Sequence, residues 1–469
     1  MTTSVAAPSP KLFSRAHLPL AFGAVALVTL TAFENRAVGT ALPTLVQEFD
    51  AVGAFGVANA APIAAFVVSL AITGLWADRA GPVPPLRAGV VGFGLGQLLV
   101  GTATGMPMIV AGRLLSGLAE GLVDVGLMVL IARTLPEVLR PRMFSLFAAA
   151  WVLPSVLGPL VTGLVTEIAG WRWVFLGALV LLVPTWLLIQ PALRLVRPDG
   201  ATGPDRPGRV RSVVPWAVTA AAAVFGLTLV GEHIEADPVP AVLVIMVCAA
   251  AAAVSARRLL PAGTFRWRRG LPSVVVMRGV TGAAFAGAGS WLPLLLTLVH
   301  GYGPSRAGVS LSITGVTWAF GSWLQGREHR FTRVAVLRCG LTFIMAGLVL
   351  TSALAWTSWP VPVGLAGWAV AGVGMGLSSP TLSVLVLEHS DETNQGRNSS
   401  AAQLAGSLSI ATTMAVSGTA IALAAPDPGR LVFGGILTAC TVVAFVGVLG
   451  AGRVQAQAEE GDHESVAAR

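Results

Sequence analysis

AGRLLSGLAEGL, residues 111–122, returns as AGWAVAGVGMGL at residues 366–377. Ala, Gly, Gly, Gly and Leu recur in the two segments at one constant offset of 255 residues, the difference between positions 111 and 366. The glycines lie within apolar runs, where close packing of helices explains them. A repeat over such a distance predicts a chain built from two similar halves.

The composition restricts where these halves reside. The 469 residues are 55% hydrophobic and only 11% charged, whereas about 25% charged residues are usual in a soluble protein. So few charges cannot cover the surface of a soluble protein of this length. A soluble enzyme, a disordered chain and a fibrous protein are therefore excluded, and the lipid bilayer is the main partner that the sequence predicts.

Fourteen apolar runs approach or exceed the length of about 20 residues that a helix needs to cross the bilayer. Six precede and six follow a central pair that has no counterpart in the repeat, and we interpret this pair as an insertion. An even number of spans places both termini on one side. The predicted spans are 18–46, 57–77, 87–105, 107–132, 143–167, 173–192, 213–231, 239–256, 272–298, 305–325, 334–354, 360–387, 398–424 and 430–451.

The basic residues are distributed unequally across the membrane. Of the 30 Lys and Arg residues, 24 lie on the side of the termini, 3 in outer loops and 3 within spans. Cytoplasmic loops carry the excess of Lys and Arg, so both termini are predicted to be cytoplasmic. The net charge of +8 sits in these short loops, and nucleic acid is not an expected partner. The basic set is Arg apart from Lys11, which favours a high-GC bacterial genome and the bacterial inner membrane.

The spans and loops divide the chain into four parts. The expected parts are an N-terminal six-helix bundle at 1–192, cytoplasmic linkers with two extra helices at 193–270, a C-terminal six-helix bundle at 271–451, and a cytoplasmic tail at 452–469.

Motifs of enzymes are absent from the sequence. It contains no HExxH, GxSxG or Walker A segment, and its six histidines form no cluster with metal-ligand spacing. We expect neither catalysis, nor a cofactor, nor a metal site. Without a signature for ATP binding, an ion gradient is the expected source of energy.

Four motifs follow one another along the first half of the chain. They are FENRAVGTALPTL (33–45), GLWADRAG (74–81) with Arg87, GRLLSG (112–117), and LGPLVTG (157–163) followed by WRWVF (171–175). These segments resemble motifs of the major facilitator superfamily, and within it the fourteen-span drug:proton antiporters. The resemblance covers nearly the whole chain. It implies an all-α integral membrane protein with the major-facilitator fold, in which two six-helix bundles and two inserted central helices make 14 transmembrane helices.

The resemblance also implies a function. Two bundles that rock about a site near the midplane give alternating access. The expected protein is a proton-coupled secondary transporter, active as a monomer, that exports a small, largely apolar or cationic compound. Three alternatives stay open: a narrow-specificity exporter of a metabolite, lipid or antibiotic, a symporter, or a membrane receptor or assembly partner built on the same fold.

Glu34 is the first candidate for proton coupling. It lies about 24 Å into the first span at 1.5 Å per residue, where an ionised carboxylate is costly, and burial favours its protonated form. Arg113, on the fourth span at a similar depth, either modulates this proton or forms a fixed buried ion pair with Glu34. Arg36 lies on another helix face and is assigned to the substrate cavity, with the outer interface as the alternative.

A polar stripe follows the fourth span. Gly117, Glu120 and Asp124 form one stripe with Arg113. The steps of 7 and 11 residues from Arg113 to the two acids return to within about 20° of its direction, and Gly117 lies between them. Such a stripe avoids lipid and is predicted to face the central cavity. Two acids four residues apart repel, which predicts a second proton site or a clamp for a cationic substrate, with a salt-bridge latch as the alternative. Arg278 on the ninth span is predicted to pair with Glu120 or Asp124 and to close the inner side.

The second and fifth spans carry the expected gate. By the resemblance, Asp78 accepts hydrogen bonds from a helix N-terminus or an Arg of the other half and locks the outward-open state, and Arg79 and Arg87 belong to the same motif; the alternative is a simple loop cap. Gly158 and Pro159 are predicted to break the fifth span, and in the family this motif is associated with exporters.

The repeat differs where the chemistry is expected. Arg113 corresponds to Trp368, and Glu120 corresponds to Met375. This difference predicts ion handling in the first half and apolar contact with substrate in the second. Trp368 and Met375 are therefore assigned to the substrate cavity, together with Gln403 near the start of the thirteenth span.

Overall fold

A computed structural model of the chain describes residues 12–15, 17–49, 55–194, 196, 208–233, 238–302, 312–327, 331–424 and 429–455. The described residues form sixteen α-helices. Their bounds are α1 Leu18–Glu48, α2 Phe55–Ala80, α3 Val83–Gly101, α4 Met106–Thr134, α5 Arg140–Ala150, α6 Val152–Ala169, α7 Arg172–Leu193, α8 Gly208–His233, α9 Pro238–Leu259, α10 Leu271–Gly289, α11 Leu292–His300, α12 Ile313–Gly326, α13 Arg333–Thr351, α14 Val361–Glu388, α15 Gln395–Leu423 and α16 Arg430–Gly450.

Ten helical segments within these described ranges are long and apolar enough to cross a membrane. The other four predicted spans fall on helices of a different kind. One is divided between α5 and α6, α8 has a shorter apolar stretch at Val213–Leu227, α12 is only 14 residues long, and α15 is rich in Ser and Thr. The protein is a multi-pass helical membrane protein, and the count of fourteen spans stays a prediction.

The glycines of the repeat lie where helices touch. A Cβ atom on Gly117 would come within 2.1 Å of the carbonyl oxygen of Pro62 on α2. A Cβ atom on its counterpart Gly372 would come within 2.3 Å of Thr317 Oγ1 on α12. Only a residue without a side chain permits such approaches, so the repeat encodes the same helix contact in both halves. The assignment of Gly117 to the substrate cavity is wrong, because α2 covers this position.

The fifth predicted span is interrupted, but not at the predicted place. α5 ends at Ala150 and α6 begins at Val152, with Trp151 in a turn between them. Pro154 follows, and a proline cannot donate to the carbonyl four residues earlier, here that of Ala150. Gly158 and Pro159 lie inside α6, which continues to Ala169. The break predicted at these two residues is therefore wrong; it lies two turns earlier.

The inserted pair of helices, α8 and α9, lies against helices from both halves. Small side chains of the pair, including Ala220, Ala252 and Ala256, share an apolar core with Val67 of α2 and Leu404 of α15. The pair thus packs over the line where α2 and α15 meet. We call α1–α7 the N-terminal set and α10–α16 the C-terminal set.

The two sets touch at the end where α1 begins. Ser145 Oγ on α5 donates to Gln325 Oε1 on α12 at 3.0 Å. Val384 and Leu387, near the end of α14, are buried in the apolar core of the N-terminal set. These contacts close the end of the molecule that the charge distribution predicts to be cytoplasmic.

Candidate functional site

The centre of the N-terminal set holds a buried ion pair. Arg113 on α4 donates through Nη1 to Glu34 Oε1 on α1, and both side chains are at most 5% exposed. Arg113 Nε is buried without a described hydrogen-bond partner. The structure thus brings together the two residues that the sequence places at one depth, and whether the pair is fixed or modulates a proton stays a prediction. Such a pair is costly to desolvate and is stable only while both partners are present.

Glu120 has a different kind of partner. The side-chain amide of Asn35, next to Glu34 on α1, donates to Glu120 Oε1 at 2.9 Å. Glu120 is half-buried, and in the described part of the chain no basic side chain lies within 4 Å of it. Glu34 on α1 is thus paired with an arginine of α4, whereas Glu120, two turns further along α4, is hydrogen-bonded by an amide.

A chain of hydrogen bonds connects the two sets at the level of Asp124. Gln403 on α15 donates through Nε2 to Asp124 Oδ2 at 2.7 Å and accepts from Arg278 Nη2 through Oε1 at 2.6 Å. Arg278 Nη1 also donates to Ser379 Oγ on α14 at 3.1 Å. We call these four residues the interset relay.

The relay corrects one prediction. Arg278 was expected to pair directly with Glu120 or Asp124, and it contacts neither. The amide of Gln403 stands between the two charges, because it offers a carbonyl oxygen to the guanidinium and an N–H to the carboxylate. Gln403 is a central member of this connection.

Asp78 lies at the closed end of the molecule, across the interface from α15. Its Oδ1 accepts from the backbone N–H of Gly396 at 2.7 Å, and its Oδ2 accepts from that of Arg397 at 3.0 Å. These amides belong to the first turn of α15, where N–H groups lack helical partners and the helix dipole favours an anion. The contact with a helix N-terminus, predicted as one of two alternatives, is confirmed. Its role as a gate stays a prediction.

The contact at Asp78 needs an unusually close approach of α2 and α15. A Cβ atom on Gly74 would come within 2.5 Å of Ser400 Oγ, and one on Gly396 would come within 2.6 Å of the Gly74 carbonyl oxygen. Both glycines are therefore required by the crossing. This is the reason that the carboxylate can reach two backbone amides at once.

The other residues predicted for the gate and the cavity differ in exposure. Arg79 is half-buried, Arg87 is exposed on α3, and Gly158 is buried in α6. The side chains of Arg36 and Pro159 lie outside the described residues, so their predicted places are untested.

Trp368 and Met375 lie in apolar packing. Trp368 is buried and stacks on Phe285 of α10 with ring centroids 4.6 Å apart, and Met375 packs against the same core cluster. The prediction that they line a substrate cavity is wrong for Trp368, whose ring is enclosed by the C-terminal set. A large aromatic residue stands opposite Arg113 in the repeat because this half uses the position for packing.

Three features of the site were not predicted from the sequence. Asn35 and Ser379 are common polar residues, and only the fold shows that they meet Glu120 and Arg278. At the closed end, Arg333 Nη2 lies 2.7 Å from Glu388 Oε1, and Arg140 of the N-terminal set interacts with the same carboxylate. The basic residues within 133–142 indicate a charged contact at this end, but the sequence does not show that their partner lies on α14.

The arrangement of two helical sets with a charged centre agrees with a comparison of the sequence with known families. Residues 24–414 match the model of the Major Facilitator Superfamily. The chain belongs to this superfamily. Its members are transporters of small molecules, not enzymes, so this major facilitator protein is a transporter.

Relatives that are named as efflux transporters are distant in sequence. A probable multidrug-efflux transporter of Mycobacterium tuberculosis (strain CDC 1551 / Oshkosh) is 26% identical over 326 residues, 66% of this chain and 67% of the relative. The multidrug efflux pump SdrM of Staphylococcus aureus (strain N315) is 26% identical over 152 residues, 32% of this chain and 34% of the pump.

Solved structures share the major-facilitator fold. The human organic anion transporter MFSD10 has a TM-score of 0.69 at 15% identity, covering 93% of this chain and 99% of that one. A bacterial homologue of the iron transporter ferroportin, in the outward-facing state, has a TM-score of 0.66 at 14% identity, covering 94% and 99%. At these identities the likeness concerns the fold alone.

Proposed function

We propose that this major facilitator protein is a proton-coupled exporter of a small, apolar or cationic compound, and that it works by alternating access from the bacterial inner membrane with both termini in the cytoplasm. The observation that carries the proposal is the charge balance at the centre. Among the central side chains that the structure describes, three are acids (Glu34, Glu120 and Asp124) and two are arginines (Arg113 and Arg278). With all five ionised, one negative charge is left over, and one proton or one cationic substrate neutralises it.

The contacts favour Glu120 as the acid that takes this proton. Glu34 is in direct contact with Arg113, and Asp124 is linked to Arg278 through Gln403. Glu120 accepts a hydrogen bond from the Asn35 amide but has no cation in direct contact, and an ionised carboxylate in that situation is unfavourable inside a membrane. Glu120 is only half-buried, and in this proposal it exchanges its proton with the space between the sets. In this proposal Glu34 and Arg113 hold α1 and α4 together, whereas Glu120 exchanges the proton.

Competition between the proton and the cationic compound for Glu120 couples proton entry to export of the compound. A cationic compound near Glu120 favours the ionised carboxylate and releases the proton, and reprotonation weakens the attraction for the compound. The contacts of Asp78, Ser145 and the interset relay hold the terminal end closed, so this conformation is the one that opens away from the cytoplasm. Export agrees with the efflux function for which the two relatives in Mycobacterium and Staphylococcus are named.

The test uses inside-out vesicles whose interior is made more acidic than the outside, with ethidium as the substrate. We expect uptake that needs the gradient and falls to the level of empty vesicles with Glu120→Gln, because the neutral amide cannot exchange a proton. Glu167→Gln, which neutralises an exposed acid on α6, is the matched control and keeps full uptake.

Two results would contradict the proposal in different parts. Gradient-dependent uptake at the unaltered rate in Glu120→Gln would remove this residue from proton coupling. Absence of uptake above empty vesicles by the unaltered protein would exclude a broad exporter of cations and leave the narrow-specificity exporter as the function to test.

A further inference from the structure

A groove runs along the outside of the C-terminal set, between α9 of the insert, α10 and α15. Its volume is about 520 Å³, within the range of about 300–1,000 Å³ that is usual for small-molecule sites. Alanine, valine and leucine side chains form most of its wall, including Ala253 of α9, Val276 of α10 and Leu408 of α15. A wall of this kind suits a hydrocarbon chain and no charged group.

The groove ends at a strongly basic loop. The segment 257–269, RRLLPAGTFRWRR, contains five arginines and no acid, and all five are exposed. Two residues of this loop, Phe265 and Trp267, line the end of the groove. The guanidinium of Arg257 lies 5.7 Å from the Phe265 ring centroid, and that of Arg453 lies 5.8 Å from the Trp267 ring centroid. Positive charges thus stand at the rim of an apolar groove.

Trp267 itself is held in an unusual conformation. Its φ of 51° lies in the left-handed region, which is uncommon for a large residue. The ring is fixed against Gly450, where a Cβ atom would come within 2.3 Å of it, and the loop is tied down by a hydrogen bond of 2.9 Å from Gly270 N to the Arg453 carbonyl. Such strain persists where the surroundings fix a residue for a purpose.

The indole of Trp267 also has an unused donor. Its Nε1 atom is buried and has no hydrogen-bond partner in the described part of the chain. Because this atom is enclosed by protein, a ligand in the groove touches the Trp267 ring and not its N–H. Arginines that only orient the protein in the membrane need neither a groove nor an indole held in a strained conformation.

We propose that this groove binds one anionic phospholipid of the cytoplasmic leaflet. An acyl chain lies along α9, α10 and α15, the rings of Phe265 and Trp267 pack against its upper part, and Arg257 and Arg453 attract the charged headgroup. Basic pockets between transmembrane helices on the cytoplasmic side recognise anionic headgroups. Because the groove lies between α9 of the insert and α10 and α15 of the C-terminal set, the bound lipid holds α9 against that set.

The test measures the binding of dioleoyl-phosphatidylglycerol and dioleoyl-phosphatidylcholine, which share their acyl chains, to the purified full-length protein in detergent by native mass spectrometry. We expect at least tenfold stronger retention of the anionic lipid. In the double variant Arg257→Gln with Arg453→Gln, we expect the affinity for the anionic lipid to fall about tenfold or more. Each Arg near an anionic headgroup contributes about 1 kcal/mol, which corresponds to about fivefold in affinity. Arg15→Gln with Arg194→Gln, which removes two exposed arginines of the same side beside the N-terminal set, leaves the preference unchanged.

A second pair of variants tests the groove independently of the charges. Ala253→Phe fills it, whereas Ala250→Phe places the same ring on an exposed position of α9 outside the lining. We expect loss of both lipids from the first variant only. Equal retention of the two lipids by the unaltered protein, or equal effects of the two arginine pairs, would overturn the proposal and make the groove an ordinary contact with bulk lipid.

Discussion

At the residue scale, Glu34 and Arg113 differ in what each becomes when the other is removed. A carboxyl group that loses its partner inside the membrane takes up a proton and becomes neutral, whereas a guanidinium does not release its proton in a protein. Arg113 is at the same time short of one hydrogen-bond partner, at Nε. The ion pair is therefore needed more by the arginine than by the acid.

This asymmetry predicts the order of stability of three variants. Glu34→Gln is expected to lose about 3–5 kcal/mol, the usual effect of an uncompensated buried charge. Arg113→Gln loses less, and the double variant is more stable than Glu34→Gln alone. Thermal unfolding of the purified proteins in one detergent measures the order.

The exposed pair of Glu48 and Arg172, whose charged atoms are 2.9 Å apart, serves as the control. Its double-glutamine variant changes stability by less than about 1 kcal/mol. If the losses for Glu34→Gln and Arg113→Gln were equal and additive, the two residues would not depend on each other as the structure indicates.

Gln403 supports a second prediction at this scale. Its amide is the one group that satisfies both Arg278 and Asp124 in the present geometry. Gln403→Glu would pair with the arginine but repel the aspartate, and we expect transport to become slower and to shift to lower external pH, where the added acid is protonated. The pH profile of ethidium uptake measures this. Ala420→Glu, at an exposed position of the same helix away from the relay and the groove, is the comparison, and an identical profile for both would contradict the role of Gln403.

At the scale of elements, one carboxylate of α2 stabilises the beginning of α15. Asp78→Asn keeps the shape of the side chain but removes the charge and one acceptor, so both charge-assisted bonds weaken. We expect the closed terminal end to open more often and transport to fall about tenfold, corresponding to the loss of about 1.4 kcal/mol. Labelling of a single cysteine at Ser400, behind the contact, should become faster.

Asp391→Asn provides the control for this variant. Asp391 is exposed and precedes α15 by four residues, so it has the same charge and lies near the same helix but makes no bond across the interface. An Asp78→Asn protein that labels and transports like the control would show that the cap is only structural.

The packing of the helices shows which features could be predicted from the sequence and which could not. The repeat glycines predicted a common packing of the two halves, because a missing side chain leaves its mark in the sequence. The depth of Glu34 and Arg113 predicted their pairing, since helical rise is regular. The break at Trp151 was missed because two prolines, Pro154 and Pro159, both fit the pattern and only packing decides between them. The amide between Arg278 and Asp124 was missed because the sequence contains no distance between helices from different halves.

At the scale of the whole molecule, the proposed alternating access requires the two sets to separate at their closed end. Ser145 and Gln325 lie on opposite sides of that separation, within hydrogen-bond distance. In a protein with Cys248, Cys339 and Cys440 replaced by Ser, we expect Ser145→Cys with Gln325→Cys to form a disulfide under mild oxidation. Ethidium uptake should then stop and return on reduction.

Each single cysteine variant under the same oxidation is the control, and it should keep its uptake. A disulfide-linked protein that transports at full rate would mean that α5 and α12 stay together throughout the cycle, which would exclude the rocking motion about this end.

The insert gives the molecule two unlike flanks. α8 and α9 pack over the line where α2 and α15 meet, whereas the line between α5 and α12 on the opposite flank has no such helix over it in the described part of the chain. In the proposed export cycle, we expect a compound dissolved in the surrounding membrane to enter between α5 and α12 and not beside the insert. A neighbouring protein that occupied this flank would slow the transporter, whereas the same neighbour beside the insert would leave it unaffected.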